Sequence, residues 1–267
     1  VWTSANDMAK WVSFLLSPET AKRADGKPLL APETVEELFR PQVVIQPGGF
    51  YPTVEKTQPK WTTYGLGWFQ HDYRGRSGIR RVDFHTGSID GLVAIVGLVR
   101  DARFGVVVLG NLDHAELRHA LMYSAFDLFL DGELSRDWNG ELRAMYDGLR
   151  QKAETARAEL EAKRVAGTKP SRALADFASV YEDPLYGAIR FELDGEALRA
   201  TVGAYLAGRA EPWHFDTFRI VWDRRLYGVS WATFRLGVDG AVSAVDIDGT
   251  SYARQPAEKA EPAPAGW

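Results

Sequence analysis

Four consecutive residues, His85-Thr86-Gly87-Ser88, bring together groups that could bind and polarise a carbonyl or a carboxylate. His85 offers a titratable donor, Thr86 a hydroxyl, and Ser88 a backbone N–H able to face a developing oxyanion. Gly87 has no Cβ, so a substrate backbone can lie close beside the chain. The quartet sits in the context RRVDFHTGSIDGLVAIVGLV, between two strand-like runs. So short a motif is also what an ordinary loop after an edge strand would carry. What the quartet means depends on the elements that hold it.

Those elements read as a β-meander over residues 64 to 109. Tyr64-Gly65-Leu66-Gly67-Trp68 reads as a strand opening with two glycines, followed by Tyr73 and a Gly-rich turn from Arg74 to Gly78. Leu92 to Val99 is almost wholly apolar, as expected of an inner strand covered on both faces. Arg100 to Arg103 is a charged turn, and Phe104 to Leu109 a further strand ending at Asn111.

Helices flank the meander. Ser4 with Asp7 three residues on is a capping signal. Met8, Trp11, Val12, Leu15 and Leu16 then recur on one face until Pro18. A second helix runs from Pro32 to before Pro41, burying Val35, Leu38 and Phe39, and Gln42 to Trp61 reads as a long surface loop. Asp113, with Glu116, caps a helix to Leu130 that ends at Asp131-Gly132 and buries Leu117, Leu121 and Leu128. Antiparallel strands with covering helices define an α+β layer.

Residues 136–166 are a charged helical linker. Leu142, Met145, Leu149, Ala153, Ala156 and Leu160 form a partly apolar seam, expected to lie as an arm along the first domain. Gly167 and Pro170 end it. From 171 to 254 the period changes to two: Ile189, Phe191 and Leu193; Phe218, Ile220 and Trp222; Ala232, Phe234 and Leu236; Val245 and Ile247. Asp194-Gly195 and Asp239-Gly240 supply hairpin turns, so this part is expected to form a small antiparallel barrel or sandwich. The Ala-, Pro- and Glu-rich stretch 255–267 reads as a disordered tail.

The order Tyr64-Gly65-Leu66-Gly67-Trp68, His85-Thr86-Gly87, Asp90-Gly91 resembles the C-terminal half of the β-lactamase-related, penicillin-binding-protein-like serine hydrolases and peptidases. Their active-site strand carries Lys-Thr-Gly or His-x-Gly. The opening VWTSANDMAKWVSFLL is similar to a family helix, with Ser4 and Asp7 in register. The likeness covers residues 1 to about 135. Tyr181, Tyr186-Gly187 and the Trp213-to-Phe218 stretch resemble a lipocalin-like β-barrel domain of unknown function that follows such hydrolases. The resemblance implies acyl transfer through a seryl intermediate. His85 and Thr86 would be catalytic and substrate-binding, Gly87 and Tyr64 substrate-binding, and the Ser88 N–H half of an oxyanion hole. It also places Gln42–Trp61 at the substrate cleft. A peptide, D-amino-acid amide, ester or β-lactam would be the substrate; His in place of Lys points away from a dedicated β-lactamase.

The family's nucleophile and second base are not in this sequence. No Ser has Lys three residues on (Ser77 has Arg80, Ser4 has Asp7), and no Tyr has Asn two residues on. With its start at Val1, inside a motif, the sequence reads as a fragment, inactive alone, whose partner is the missing N-terminal half of the same domain. The alternative is a degenerate scaffold serving as a non-catalytic binding or oligomerisation module.

Composition narrows the rest. The 267 residues carry a net charge of −4, against a nucleic-acid partner, and no cysteine, which removes disulfides and thiolate metal sites. No stretch reaches membrane-span length, and these residues hold no signal-peptide pattern, a leader being among what the missing N-terminal part could carry; the resemblance implies a periplasmic or extracellular setting. His114 and His119 are five apart and point to different faces, so no metal site is expected, and no cofactor. His71 reads as a strand-surface residue and His214 as a partly buried barrel histidine. Tyr64 and Trp68 are core aromatics or cleft-lining ones. Asp83 and Asp90 flank the quartet without a paired carboxylate, which leaves a glycosidase reading unsupported. A homo-oligomer is the further partnership expected.

Overall fold

In the computed structural model, which describes residues 3–89, 91–112 and 117–256, α1 (Ala5–Leu16) starts where its cap requires. The Ser4 hydroxyl oxygen accepts from the Asp7 backbone N–H at 3.2 Å, satisfying one of the orphan donors of the first turn. Helix α2 (Pro32–Phe39) follows, with Pro at its first position, where a missing N–H costs nothing. The chain divides into two compact units, Val1–Glu154 and Thr155–Trp267.

The first unit is built on a six-stranded antiparallel sheet in simple sequence order. Its strands are β1 (Val43–Val44), β2 (Thr62–Tyr64), β3 (Phe69–Gly75), β4 (Gly78–Ile89), β5 (Leu92–Val99) and β6 (Phe104–Gly110). A short helix, α3 (Val54–Thr57), lies between β1 and β2. Helix α4 (Leu117–Asp131) and the start of α5 (Trp138–Ala162) cover one face, where Val82, Phe84, Ile95, Met122, Tyr123, Phe126 and Trp138 pack together. On the other face α1 and α2 pack Val12, Leu15, Val35 and Phe39 against Trp68 and Leu98. Two glycines let the helices approach. A Cβ on Gly97 would meet the Met122 sulfur at 2.5 Å, and one on Gly105 would meet Val12 at 2.5 Å. Burying each large apolar side chain of these layers is worth roughly 1.5–3 kcal/mol.

Several expectations needed correction. Trp11 lies on the exposed side of α1, and Leu38 is only half-buried. Gln42–Trp61 is not a bare loop: it contributes β1 and α3, buries Thr53, and packs Phe50 and Tyr51 onto the sheet. Gly65–Trp68 is a turn between β2 and β3 rather than the start of a strand; Gly67, with φ +84°, supplies the reversal. Leu117, Leu121 and Leu128 face outward, and α4 instead buries Arg118, His119, Met122, Tyr123, Phe126 and Asp127. His71 is fully buried. Only the first turns of α5 pack, through Trp138, Leu142 and Met145, while residues 151–160 are exposed. The cap residues Asp113 and Glu116, His114, Asp90 and the tail beyond 256 lie outside the described residues.

The second unit is a closed eight-stranded antiparallel barrel, an up-and-down meander whose last strand pairs with its first. The strands are β7 (Ser179–Asp183), β8 (Gly187–Asp194), β9 (Ala197–Val202), β10 (Leu206–His214), β11 (Thr217–Trp222), β12 (Val229–Leu236), β13 (Val242–Ile247) and β14 (Thr250–Arg254). Closure removes the exposed strand edges that an open sheet leaves. The alternating residues Ile189 and Phe191, Phe218 and Ile220, Ala232 and Phe234, Val245 and Ile247 fill the interior, as their period requires. Leu193 and Leu236, at strand ends, are exposed instead. A short helix before the barrel, α6 (Leu174–Phe177), plugs it: the Phe177 ring meets Phe218 and Phe234, and Tyr181 donates to the Phe177 carbonyl at 2.8 Å.

The barrel thus has its own core, turns and plug. The segment from Thr155 to Pro256 is expected to fold alone, with strand-rich circular dichroism and one cooperative thermal transition. Phe177→Ala in that segment should cost about 3–5 kcal/mol, the range for emptying a Phe-sized core site. A coil-like spectrum with no cooperative melt would refute the independent fold.

Candidate functional site

Strand β4 carries the quartet, and its pairing explains why the quartet is accessible. On the β3 side its ladder ends at Phe69↔Phe84. On the β5 side pairing continues to Ile89↔Leu92. Residues 85–89 therefore have a strand partner on one side only among the described residues. His85 and Thr86 are half-buried, and Gly87 and Ser88 are exposed. An extended chain could add along that open side, taking main-chain hydrogen bonds from β4.

Each side chain of the quartet is held. His85 Nδ1 lies 2.7 Å from the Thr86 carbonyl, and Nε2 lies 3.1 Å from the Tyr64 hydroxyl. A carbonyl only accepts, so Nδ1 carries the proton, and in the neutral ring Nε2 accepts from Tyr64. The Thr86 hydroxyl is 2.6 Å from that of Tyr51. Arg118, buried on α4, donates to the Gly87 carbonyl at 3.0 Å and to Ser88 Oγ at 2.7 Å. A Cβ on Gly87 would meet nothing within 4 Å, so the space beside it is open. The structure thus brings His85, Thr86, Gly87, Ser88 and Tyr64 together on one edge.

Tyr51 and Arg118 were missed from sequence. Tyr51 lies in a Pro- and Gly-rich stretch with no period to read. Arg118 sits in a helix whose leucines were assigned to the inside. Neither position carries a local signal of its neighbour, since the contacts span 35 and 31 residues.

Behind the edge lies a buried polar layer. His71 Nδ1 donates to the Asp72 carbonyl at 2.9 Å, and Tyr123 Oη lies 3.3 Å from Nε2. Burial pulls the His71 imidazole down to about 4, with His119 adding to the depression and the Asp72 carbonyl and carboxylate opposing it. Burial pushes the Tyr123 hydroxyl well above the usual phenol range, so it stays the donor. Asp83, two residues before His85, is also buried. Arg81 donates to its Oδ1 at 2.8 and 3.0 Å, and Arg100 to its Oδ2 at 3.0 Å. With both oxygens so engaged, Asp83 is an anchor for β4 rather than a free acid or base. Trp68 packs in the core against Phe39, whereas Tyr64 belongs to the edge. His214 is half-buried, as expected for a barrel histidine. Among the described residues no group of three or more His, Cys, Asp or Glu could hold a metal, and no helix is long and apolar enough to cross a membrane.

Fold and site together define an α+β layer with an open, clamped strand edge, joined in sequence to a closed barrel. Comparison with known proteins adds two findings. Residues 163–263, spanning the barrel, match a family described as a domain of unknown function, DUF3471. Among solved structures, the chain is similar to an octameric penicillin-binding protein homologue from Pyrococcus abyssi. The identity is 16% and the TM-score 0.38, over 94% of this chain and 46% of that one. It is also similar to SurE crystallised with D-Leu, at 15% identity and TM-score 0.33, over 94% of this chain and 50% of that one. The chain spans about half the length of these structures. No curated protein matches it.

Proposed function

We propose that this chain is the substrate-binding half of a β-lactamase-related serine hydrolase, whose nucleophile and activating base lie outside these 267 residues. The observation that carries the reading is the β4 edge. Residues 85–89 extend beyond the β3 partner, and Tyr64, Tyr51 and Arg118 hold His85, Thr86 and Ser88 in place around it. An acyl or peptide substrate would lie antiparallel along that edge. Thr86 and His85 would contact its carboxylate or carbonyl side, with the Ser88 N–H at the oxyanion. A covalent acyl-enzyme, formed on a serine from the completing half and hydrolysed by water, is the chemistry this edge would serve. The reading carries with it a periplasmic or extracellular setting, with which a cysteine-free chain is compatible.

The test has two arms. The chain alone, assayed with chromogenic esters, D-amino-acid amides and a cephalosporin, should show no saturable turnover sensitive to a serine-directed acylating reagent. Turnover of that kind would mean another nucleophile is present. In the protein completed by its upstream half, Thr86→Val and His85→Ala should each lower catalytic efficiency by roughly 10- to 100-fold, the worth of a hydrogen bond to a charged group. If both leave efficiency unchanged, the quartet is only the end of a strand, and the binding-module reading takes its place.

A further inference from the structure

The side that each main-chain group of β4 faces follows from the ladder. The Thr62 and Tyr64 carbonyls accept from Ile45 and Gln42, which flank β1. Main-chain groups alternate sides along a strand, so Thr63 faces β3, and its partner Gln70 faces β2. Phe69 and His71 then face β4, and their partners Phe84 and Val82 face back. The same alternation turns the N–H and C=O of Thr86 and Ser88 toward the open side of β4.

That open side is not uniform. Ser88 presents both its N–H and its C=O. At Thr86 the carbonyl already accepts from His85 Nδ1 at 2.7 Å, which leaves the N–H. With the ring proton on Nδ1, Nε2 of the neutral ring is a lone pair, and the Tyr64 hydroxyl, 3.1 Å away, gives its proton to that bond. Tyr64 Oη therefore meets any further partner as an acceptor only. Both rings pack on Phe69, Tyr64 at 4.8 Å and His85 at 5.6 Å between centroids. The pair is thus fixed where β3 begins and the open edge of β4 starts.

An antiparallel substrate with its scissile carbonyl at the Ser88 N–H runs, in its C-terminal direction, toward Thr86 and His85. Its next main-chain pairing, two residues on, falls at Thr86. There a substrate carbonyl has the Thr86 N–H to accept from. A substrate N–H finds the Thr86 carbonyl engaged, and Tyr64 Oη, linked to that carbonyl through the imidazole, is the acceptor that remains. We propose that this end of the edge selects a leaving side that carries an N–H there, either a continuing peptide or a terminal carboxamide. A free carboxylate one residue after the scissile bond puts an oxygen in that place, acceptor against acceptor. Tyr64 is the specificity-determining residue, and His85 is the positioning residue that holds its proton. The inference rests on the hydrolase reading and names the leaving-side group of its substrate.

The test compares two peptides that differ only at the leaving end, one a carboxamide and one a carboxylate, in the protein completed by its upstream half. The carboxamide should be cleaved with at least about tenfold higher kcat/KM, the discrimination expected of a site built for an N–H. Tyr64→Phe, which keeps the ring, should bring that ratio to within about threefold of one. His85→Lys supplies a cation and frees the Tyr64 proton, so it should turn the ratio toward the carboxylate. Nitrogen-15 NMR of the 267-residue chain gives a second readout. With the ring neutral, His85 should be the Nδ1–H tautomer, and Tyr64→Phe should lower the share of that tautomer. A wild type that prefers the carboxylate overturns the inference. So does a ratio that neither variant moves, and so does a predominant Nε2–H tautomer. A completed protein that cleaves neither peptide nor any other acyl substrate overturns the hydrolase reading, and this inference falls with it.

Discussion

Asp127→Ala is expected to unfold the first unit or leave it barely stable. The Asp127 side chain is fully buried, and its two oxygens collect four donors from three different places in the chain. The Tyr73 hydroxyl donates to one oxygen. Ser135 donates to the other through its N–H at 2.8 Å and its hydroxyl at 2.6 Å, and Trp138 Nε1 donates at 2.7 Å. One carboxyl group thereby ties β3, α4, the turn after α4 and the start of α5. Truncation leaves buried donors without an acceptor, and each costs about 1–3 kcal/mol. The expected loss is at least about 4 kcal/mol, a large share of the roughly 5–15 kcal/mol available to a domain. Asp127→Asn should be intermediate, because its amide nitrogen would face a donor. Denaturant titration read separately on the two units provides the check: the barrel transition should stay where it is. A wild-type transition in the first unit of Asp127→Ala would show that the four bonds contribute nothing net.

The second large effect is a pH dependence set by His71. Its folded value, about 4, lies below the ordinary 6.5. The unfolded chain therefore binds a proton between those two values that the folded chain refuses. The contribution of this group is intact above about pH 6.5 and is lost as pH falls toward about 4. Linkage puts the loss at about 2 kcal/mol near pH 5 and about 3 kcal/mol near pH 4. The groups facing the ring are the Asp72 carbonyl and carboxylate, Tyr123 and His119 from α4, and the Phe50 and Phe84 rings. His71→Gln keeps a polar side chain but does not titrate. The wild type should lose stability relative to this variant across that window, by the amounts above. Parallel pH profiles for the two proteins would remove His71 as the cause.

How much of this was legible in the sequence differs element by element. The Ser4 cap, the β-meander and the alternating barrel strands all rest on local rules. A cap and its helix are three residues apart, and a strand's two faces are separated by one residue. Two of the barrel hairpins carried the Asp-Gly turns Asp194-Gly195 and Asp239-Gly240, so their pairing was local too. The quartet on β4 was legible for the same reason, as four adjacent residues. Failures came where the environment is set by distant chain. Leu117, Leu121 and Leu128 were expected inside because leucine at helical spacing ordinarily means core, yet Arg118 and Asp127 have partners 31 and 54 residues away that only the folded sheet brings near. His71 gave no sign of burial, because α4 and the Phe50 segment that cover it come from other parts of the sequence.

The sequence by itself determined the kinds of element, the α+β layer and the β-rich second half, because propensity and periodicity act over a few residues. It also singled out the quartet on β4 as a candidate site. Only the tertiary structure decided that β3 stops at Phe69 while β4 runs on to Ile89, which opens the edge at the quartet. It alone showed that β7 closes on β14, and that α4 turns its leucines outward. Each of these depends on which distant surfaces meet, and that follows from the lowest free energy of the whole packed chain rather than from the spacing within any one segment.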